Sequence, residues 1–321
     1  MNIFHDISEL HRDENTFITL GTFDGVHLGH QKIIKRLVEK TKKAGGRNFL
    51  VTFDPHPRNV ISGNSDFRIL STPEEKAVVL KKLGIMNMLV INFTKEFSQN
   101  SAEDFFKKYI IDSIGIREII IGYDHRFGKG RGGDKTTLME MGRQYGFGVE
   151  TVDAFSLNGE IISSTKIRKA LAEGDIKTAG SFLGRNYEFS GLVVEGDKRG
   201  RDLGFPTANI KLNDETKLLP ALGIYVVEVF VGDKNYFGLL SIGKRPTFYD
   251  SGNIIPEVFI YDFNNDIYGK QVMVSIIERL RGEEKFSSPG ELIAQMIVDK
   301  KNGFEVIRNL EPVKKNRENI S

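Results

Sequence analysis

Two patterns of apolar residues divide this chain. From Phe17 to about Leu183, short apolar runs (FITL at 17–20, FLVTF at 49–53, MLVINF at 88–93, EIIIG at 118–122, GVETV at 148–152) alternate with amphipathic stretches (QKIIKRLVEK at 31–40, PEEKAVVLKKLG at 73–84, SAEDFFKKYIIDSI at 101–114, TTLMEMGRQYG at 136–146). That alternation predicts a parallel sheet with crossover helices. Thr72 before Pro73, with Glu75 three positions after Thr72, is a capping box with proline at the first helical position, and Gly84 marks the stop. After Gly184 the texture changes to six short apolar runs separated by Gly, Asn and Asp turns: YEFSGLVVEG, PTANIKL, GIYVVEVFVG, NYFGLLSIG, PEVFIYDF and QVMVSII. Strands with no helix between them predict an antiparallel barrel or sandwich. A helix follows Ser288, with Leu292, Ile293, Met296 and Ile297 expected to face the barrel, and EPVKKNRENIS reads as a frayed basic tail. We expect an α/β domain over 1–184 and an all-β domain over 185–321.

Composition narrows the class. The chain has 321 residues, room for two cores, and its 40% hydrophobic and 27% charged residues are globular values. It contains no Cys, so no disulfide framework or thiolate metal site is available. No apolar stretch approaches a membrane span, and the N-terminus has no signal-like apolar region, so we expect a cytoplasmic protein without membrane partners. A net charge of +2 gives no global field for nucleic acid, and any anion site must be local. Nothing in the sequence sets an oligomeric state.

The first such site follows strand FITL. In GTFDGVHLGH, Gly21, Gly25 and Gly29 allow tight turns where a helix begins, so that free N–H groups of the segment carrying Phe23 and Asp24 can cradle phosphate. His27 and His30, three apart, share one face and can donate to a triphosphate and to charge developing on phosphorus. His5 and His11, standing alone, are read as capping or core residues. The segment resembles the HxGH signature of the nucleotidylyltransferase superfamily, which implies adenylyl transfer with release of pyrophosphate. The superfamily's second motif is matched by ISSTKIRKALAEGD, where Ser163, Ser164 and Thr165 would open a helix and Arg168 would meet the leaving pyrophosphate. Two loops at strand ends, VTFDPHPR (51–58) and IGYDHRFGKGRGGD (121–134), are candidate acceptor sites. There His56, Asp124 and Arg126 are expected to contact the acceptor and Phe127 to offer a stacking face, or else Asp124 caps a turn and Pro55-His56-Pro57 stiffens a loop.

The β-rich half opens with GDKRGRDLGFPTAN, in which Gly196, Gly200 and Gly204 let a loop close over phosphates while Lys198 and Arg201 counter their charge. Thr207 and Asn209 are two apart on a strand, hence on one side, with oxygens suited to Mg²⁺ and bound ATP phosphates. Glu257 is an acid in an otherwise apolar strand, able to act as a base if a hydroxyl lies within reach. With GKRPTF at 243–248, these segments resemble the bacterial bifunctional riboflavin kinase/FMN adenylyltransferase family over nearly the whole chain. The resemblance implies a Rossmann-like nucleotidylyltransferase domain followed by a Greek-key barrel with a C-terminal helix. It implies ATP and Mg²⁺, with riboflavin, FMN and FAD as substrates and products, and gives Thr207 and Asn209 the metal and Glu257 the general base. The chain departs from the family pattern at Ser241, Phe259 and His125. A rival reading keeps the adenylyltransferase and makes the barrel an oligonucleotide-binding module; the clustering of basic residues in one glycine loop favours a nucleotide.

Overall fold

The computed structural model describes residues 1–63, 66–196, 204–244 and 254–318. Contacts divide the chain into two compact units, Met1–Ser164 and Thr165–Ser321.

The first unit is a six-stranded parallel sheet with helices. Its elements are β1 (Asn2–Phe4), β2 (Thr16–Leu20), α1 (Leu28–Ala44), β3 (Arg47–Asp54), α2 (Pro57–Ser62), α3 (Pro73–Lys82), β4 (Asn87–Asn92), α4 (Ala102–Phe105, continuing as a π-helix over Phe106–Ile114), β5 (Glu118–Gly122), α5 (Lys135–Tyr145) and β6 (Gly148–Val152), closed by a small hairpin of β7 (Ser156–Leu157) and β8 (Glu160–Ile161). Strand order is β1-β4-β3-β2-β5-β6, so the chain grows to one side of β2 and then to the other. The carboxyl ends of β2, β3 and β5 therefore meet at the switch point, where open α/β sheets bind ligands. Every residue of β2 is buried, as a strand covered on both faces requires. The Thr72–Glu75 capping box forms as the sequence predicts. Three elements escaped the periodicity argument: β1, added parallel to β4 from the polar N-terminus, the short helix α2, and the hairpin. Each is too short to show a period.

The second unit begins with α6 (Ser164–Glu173, its first residue in the preceding unit) and α7 (Ile176–Leu183), then the six expected strands β9 (Tyr187–Val194), β10 (Thr207–Leu212), β11 (Gly223–Val231), β12 (Lys234–Lys244), β13 (Ile254–Ile260) and β14 (Gln271–Arg281). They close in the order β10-β13-β12-β11-β14-β9. β11, β12 and β13 form a meander and β14 returns beside β11, which is a Greek key. Alternation is clean in β9, where Tyr187, Phe189 and Val193 point inward.

The final helix, α8 (Pro289–Glu318), corrects two expectations. It runs through Pro312 to Glu318 where a frayed tail was expected from Glu311; proline removes one backbone hydrogen bond but leaves the helix preference of the surrounding Glu, Lys and Arg. Its seam against the barrel is only partly the expected one, for Leu292, Ile293 and Met296 are half-buried. Ile297 is 57% exposed, whereas Asp299, Gly303 and Ile307 are buried. Arg281 of β14 grips Asp299 with a fork of hydrogen bonds (Nε–Oδ1 3.0 Å, Nη2–Oδ2 2.8 Å), and Phe304 stacks on Tyr261 at 4.3 Å.

Candidate active sites

In the first unit the chain leaves β2 into a loop held in unusual backbone shapes: φ is +45° at Phe23, +79° at Gly25 and +41° at Val26. For a β-branched valine that is a sterically unfavourable setting, which persists only when surrounding contacts fix it. The surrounding residues supply those contacts. Asp24, 2% exposed, accepts the backbone N–H groups of Leu70 (2.9 Å) and Ser71 (3.1 Å), and Gly25 N–H donates to Ser71 Oγ at 3.0 Å. Ser164 Oγ donates to the Asp24 carbonyl at 2.9 Å. Asp24 was expected at the phosphate site through the N–H groups of its segment; its carboxylate accepts two backbone amides and so shapes the loop. Phe23 is likewise buried, and its ring lies beside His30 and under Gly21, where a Cβ would come within 3.2 Å of it.

The two histidines meet as predicted. Their rings stack at 3.6 Å and 16°, and His27 Nδ1 accepts the His30 N–H at 3.3 Å, capping α1. That bond places the neutral-state proton of His27 on Nε2, leaving an N–H donor there. Gly29 permits the stacking, since a Cβ would press on the His27 ring at 3.1 Å. Burial first, then His27 and Lys76, push the His30 imidazole well below its ordinary range, so it is neutral at neutral pH. His30 Nδ1 is enclosed and has no hydrogen-bond partner among the described residues. A buried polar atom without a partner is costly, and a ligand group supplying one is the natural remedy.

Around this pair the remaining candidates are distributed unevenly. Ser163 and Ser164 stand at the start of α6, and Thr165 and Arg168 follow along the helix in the second unit. His56 caps α2 by accepting Arg58 N–H (3.1 Å) and packs on Phe67 at 4.5 Å. Asp124 is exposed at the end of β5, and Arg126 pairs with Asp134 at 2.9 Å. Phe127 does not offer a free stacking face: it is 6% exposed and packs with Phe105 and Phe106 in the core. Its apolar ring is drawn under the loop because Phe127 and Gly133 exchange backbone hydrogen bonds that fold the loop back on itself. Sequence reasoning missed Ser71 and Lys76, whose only visible signal was lying at the mouth of α3, and His5, which with Asp54, Pro55, Val90 and Asn92 lines a cavity of about 250 Å³.

In the barrel the structure joins what the sequence separates. Asn209 of β10 lies opposite Glu257 of β13, and Thr207 Oγ1 donates to Glu257 Oε2 at 3.3 Å. Ser241 of β12 lies opposite Glu257 on its other side, and Phe259 pairs with Thr207, so two of the departures from the family pattern flank the acid. Gly196 is required here, because a Cβ would fall 2.1 Å from Asn209 Nδ2. Gly204, at φ +80°, is exposed before the strand. Lys198, Gly200 and Arg201 lie outside the described residues, as does GKRPTF beyond Lys244. A cavity of about 230 Å³ reaches Thr207 and is walled by Phe263, Asn264, Asn265, Asp266 and Tyr268. That β13–β14 connection was also missed; its Asn-Asn-Asp run after an apolar strand was the available signal.

A switch-point sheet with a histidine pair, followed by a closed barrel with a threonine–glutamate pair, defines a two-module nucleotide-using transferase. Comparison with known proteins agrees: the FAD synthetase family model matches residues 9–166 and the riboflavin kinase model residues 183–307. The bifunctional riboflavin kinase/FMN adenylyltransferase of Listeria monocytogenes is 38% identical over 93% of this chain and 95% of its own length, and that of Bacillus subtilis 36% identical over 91% and 93%. A Streptococcus pneumoniae crystal structure described as a macrolide-efflux protein superposes with a TM-score of 0.83 at 32% identity, covering 93% of this chain and 97% of that one. In this chain no helix among the described residues is long and apolar enough to cross a membrane.

The chain belongs to the bifunctional riboflavin kinase/FMN adenylyltransferase family and carries both enzymes, FAD synthetase ahead of riboflavin kinase. The riboflavin kinase match decides the barrel against the oligonucleotide-binding alternative.

Proposed function

We propose that the two activities are divided between residues 1–184, which adenylylate FMN, and residues 185–321, which phosphorylate riboflavin, both in the cytoplasm. In the barrel, Glu257 takes the proton of the riboflavin 5′-hydroxyl as its oxygen attacks the γ-phosphorus of ATP, giving FMN and ADP. The hard oxygens of Thr207 and Asn209 beside a carboxylate are a donor set that fits Mg²⁺, which would neutralise charge on the phosphates. Lys198 and Arg201, in the glycine-rich segment 196–204, counter the charge of those phosphates. In the first unit, a phosphate oxygen of FMN attacks the α-phosphorus of a second ATP and the bond to pyrophosphate breaks. That nucleophile is already an anion, so the step needs alignment and electrostatic stabilisation more than a base. The loop amides of 21–25, with Gly29, cradle the polyphosphate; His27 and His30 donate N–H to it, and Ser163 and Ser164 face the leaving group. Asp124 and His56 border the flavin, with Arg126 at the rim.

The observation that carries this reading is the meeting of Thr207 and Glu257, fifty positions apart, at 3.3 Å on neighbouring strands. Single substitutions test the division. Glu257→Ala is expected to reduce FMN formation about 10³-fold and leave FAD formation from supplied FMN intact. His30→Ala is expected to do the reverse. Loss of both activities in either variant would refute separate sites.

A further inference from the structure

Beneath the loop that carries the histidines lies a charge that no motif announces. Lys76, in the first turn of α3, is 5% exposed, a burial that lysine rarely undergoes without partners. Its ammonium donates to the carbonyl oxygen of Thr22 at 2.6 Å and to Thr52 Oγ1 at 3.1 Å. Thr52 Oγ1 also donates to the Thr22 carbonyl, at 3.2 Å. Burial lowers the proton affinity of Lys76, while the Asp24, Asp54 and Glu74 carboxylates oppose that and favour the cation.

Two consequences follow for the site. The Thr22 carbonyl immediately precedes the left-handed turns at Phe23, Gly25 and Val26, so the lysine is one of the clamps holding the cradle in a shape its side chains disfavour. The ammonium also acts on His30. The groups around that imidazole include the stacked His27 ring, the Phe23 ring at 5.0 Å and Lys76, whose cationic form the Asp24, Asp54 and Glu74 carboxylates favour against the opposing effect of burial. A cation fixed below the loop attracts a polyphosphate and repels a proton from the imidazole above it.

Resting on the reading of this loop as the adenylyl-transfer site, we propose that Lys76 is a positioning residue for FAD formation. It fixes the Thr22 carbonyl at the start of the loop and supplies buried positive charge toward the bound polyphosphate.

The test uses the full chain as Lys76→Met, which removes charge and donor, and Lys76→Gln, which keeps a donor. Riboflavin phosphorylation in the same preparations reports on the second unit and is expected within about twofold of wild type. FAD formation from supplied FMN is expected to lose kcat by about tenfold or more in both variants. The decisive readout is the titration of His30, followed by NMR of the six histidines with its signal assigned by His30→Gln. Removing a neighbouring cation makes protonation easier, so the midpoint moves to higher pH, and the acid limb of FAD formation moves with it. An unmoved midpoint, a kcat within about twofold of wild type, or unfolding of the first unit in both variants overturns the proposal; the last would make Lys76 a structural residue. Undiminished FAD formation by His30→Ala would instead sink the assignment of the site, so the two failures are distinguishable.

Discussion

At the scale of single residues, the sites depend on side chains and glycines whose job is to leave room. Gly196 is the sharpest case. Its missing Cβ is the space that Asn209 occupies, at 2.1 Å from where that carbon would be, and Asn209 itself is 6% exposed with little freedom to retreat. Gly196→Ala is therefore expected to swing Asn209 away from Glu257 and lower the kcat/KM of riboflavin phosphorylation by about tenfold, because misplacing a contact by an ångström is costly in an aligned site. Steady-state assays with varied ATP check this, and unchanged FAD formation from FMN shows that the effect is local. Asp24 illustrates the opposite lesson. In the sequence only the N–H groups of its segment are suggestive, and the structure adds that its carboxylate, with two backbone donors and 2% exposure, is part of the loop's framework.

At the scale of elements, α8 is tied to the barrel by an ion pair that hydrophobic patterning does not reveal. Asp299 is 3% exposed, and its carboxylate takes a bidentate grip from Arg281 plus Gln295 Nε2 at 2.9 Å. Removing Asp299 leaves the largely buried Arg281 with only the more distant, exposed Glu284 at 3.9 Å, a loss of about 1–3 kcal/mol. Asp299→Ala is accordingly expected to lower the urea midpoint of riboflavin kinase activity. Gly303→Ala offers an independent test of the same seam, since its Cβ would lie 2.5 Å from Tyr261 Oη and 2.9 Å from Leu239. Overpacking of this kind costs about 1–3 kcal/mol, and thermal unfolding followed by circular dichroism measures it. The expected apolar face was only part of the contact: Leu292, Ile293 and Met296 are half-buried and Ile297 is exposed, while the buried seam also takes in Asp299, Gly303 and Ile307.

At the scale of the whole molecule, the two units should respond differently to acid. All six histidines lie in the first 125 residues, inside the first unit. Burial, with Arg131 adding, lowers His125 from 6.5 to about 4, and burial lowers His30 as well. For a histidine depressed in the folded state, the unfolded chain binds more protons below about pH 6.5, so stability is present above that pH and is lost as pH falls toward the folded value. Each such group contributes a slope of about 1.4 kcal/mol per pH unit within its window. Between pH 6.5 and about 4 the first unit should weaken through His30 and His125, a loss that the histidine-free second unit does not share. Thermal scans at pH 7 and pH 5, with the two activities assayed after each exposure, are expected to show FAD formation failing before FMN formation. Equal loss of both would contradict this. Much of this plan was legible beforehand: alternating patterns gave a sheet and then a barrel, and two histidines after a buried strand marked the switch point.

The sequence by itself determined the order of elements, the parallel and antiparallel halves, and the chemical identity of His27, His30, Thr207, Asn209 and Glu257, because strand and helix periods and short motifs are local properties of the chain. Only the tertiary structure decided that Thr207 touches Glu257, that Asp24 and Phe127 turn inward, that Lys76 bonds the carbonyl of Thr22 ahead of the left-handed turns, and that Asp299 and Gly303 join the helix seam. These depend on strand register and on burial of residues far apart in the chain, and no local pattern encodes which distant partner will satisfy a buried charge.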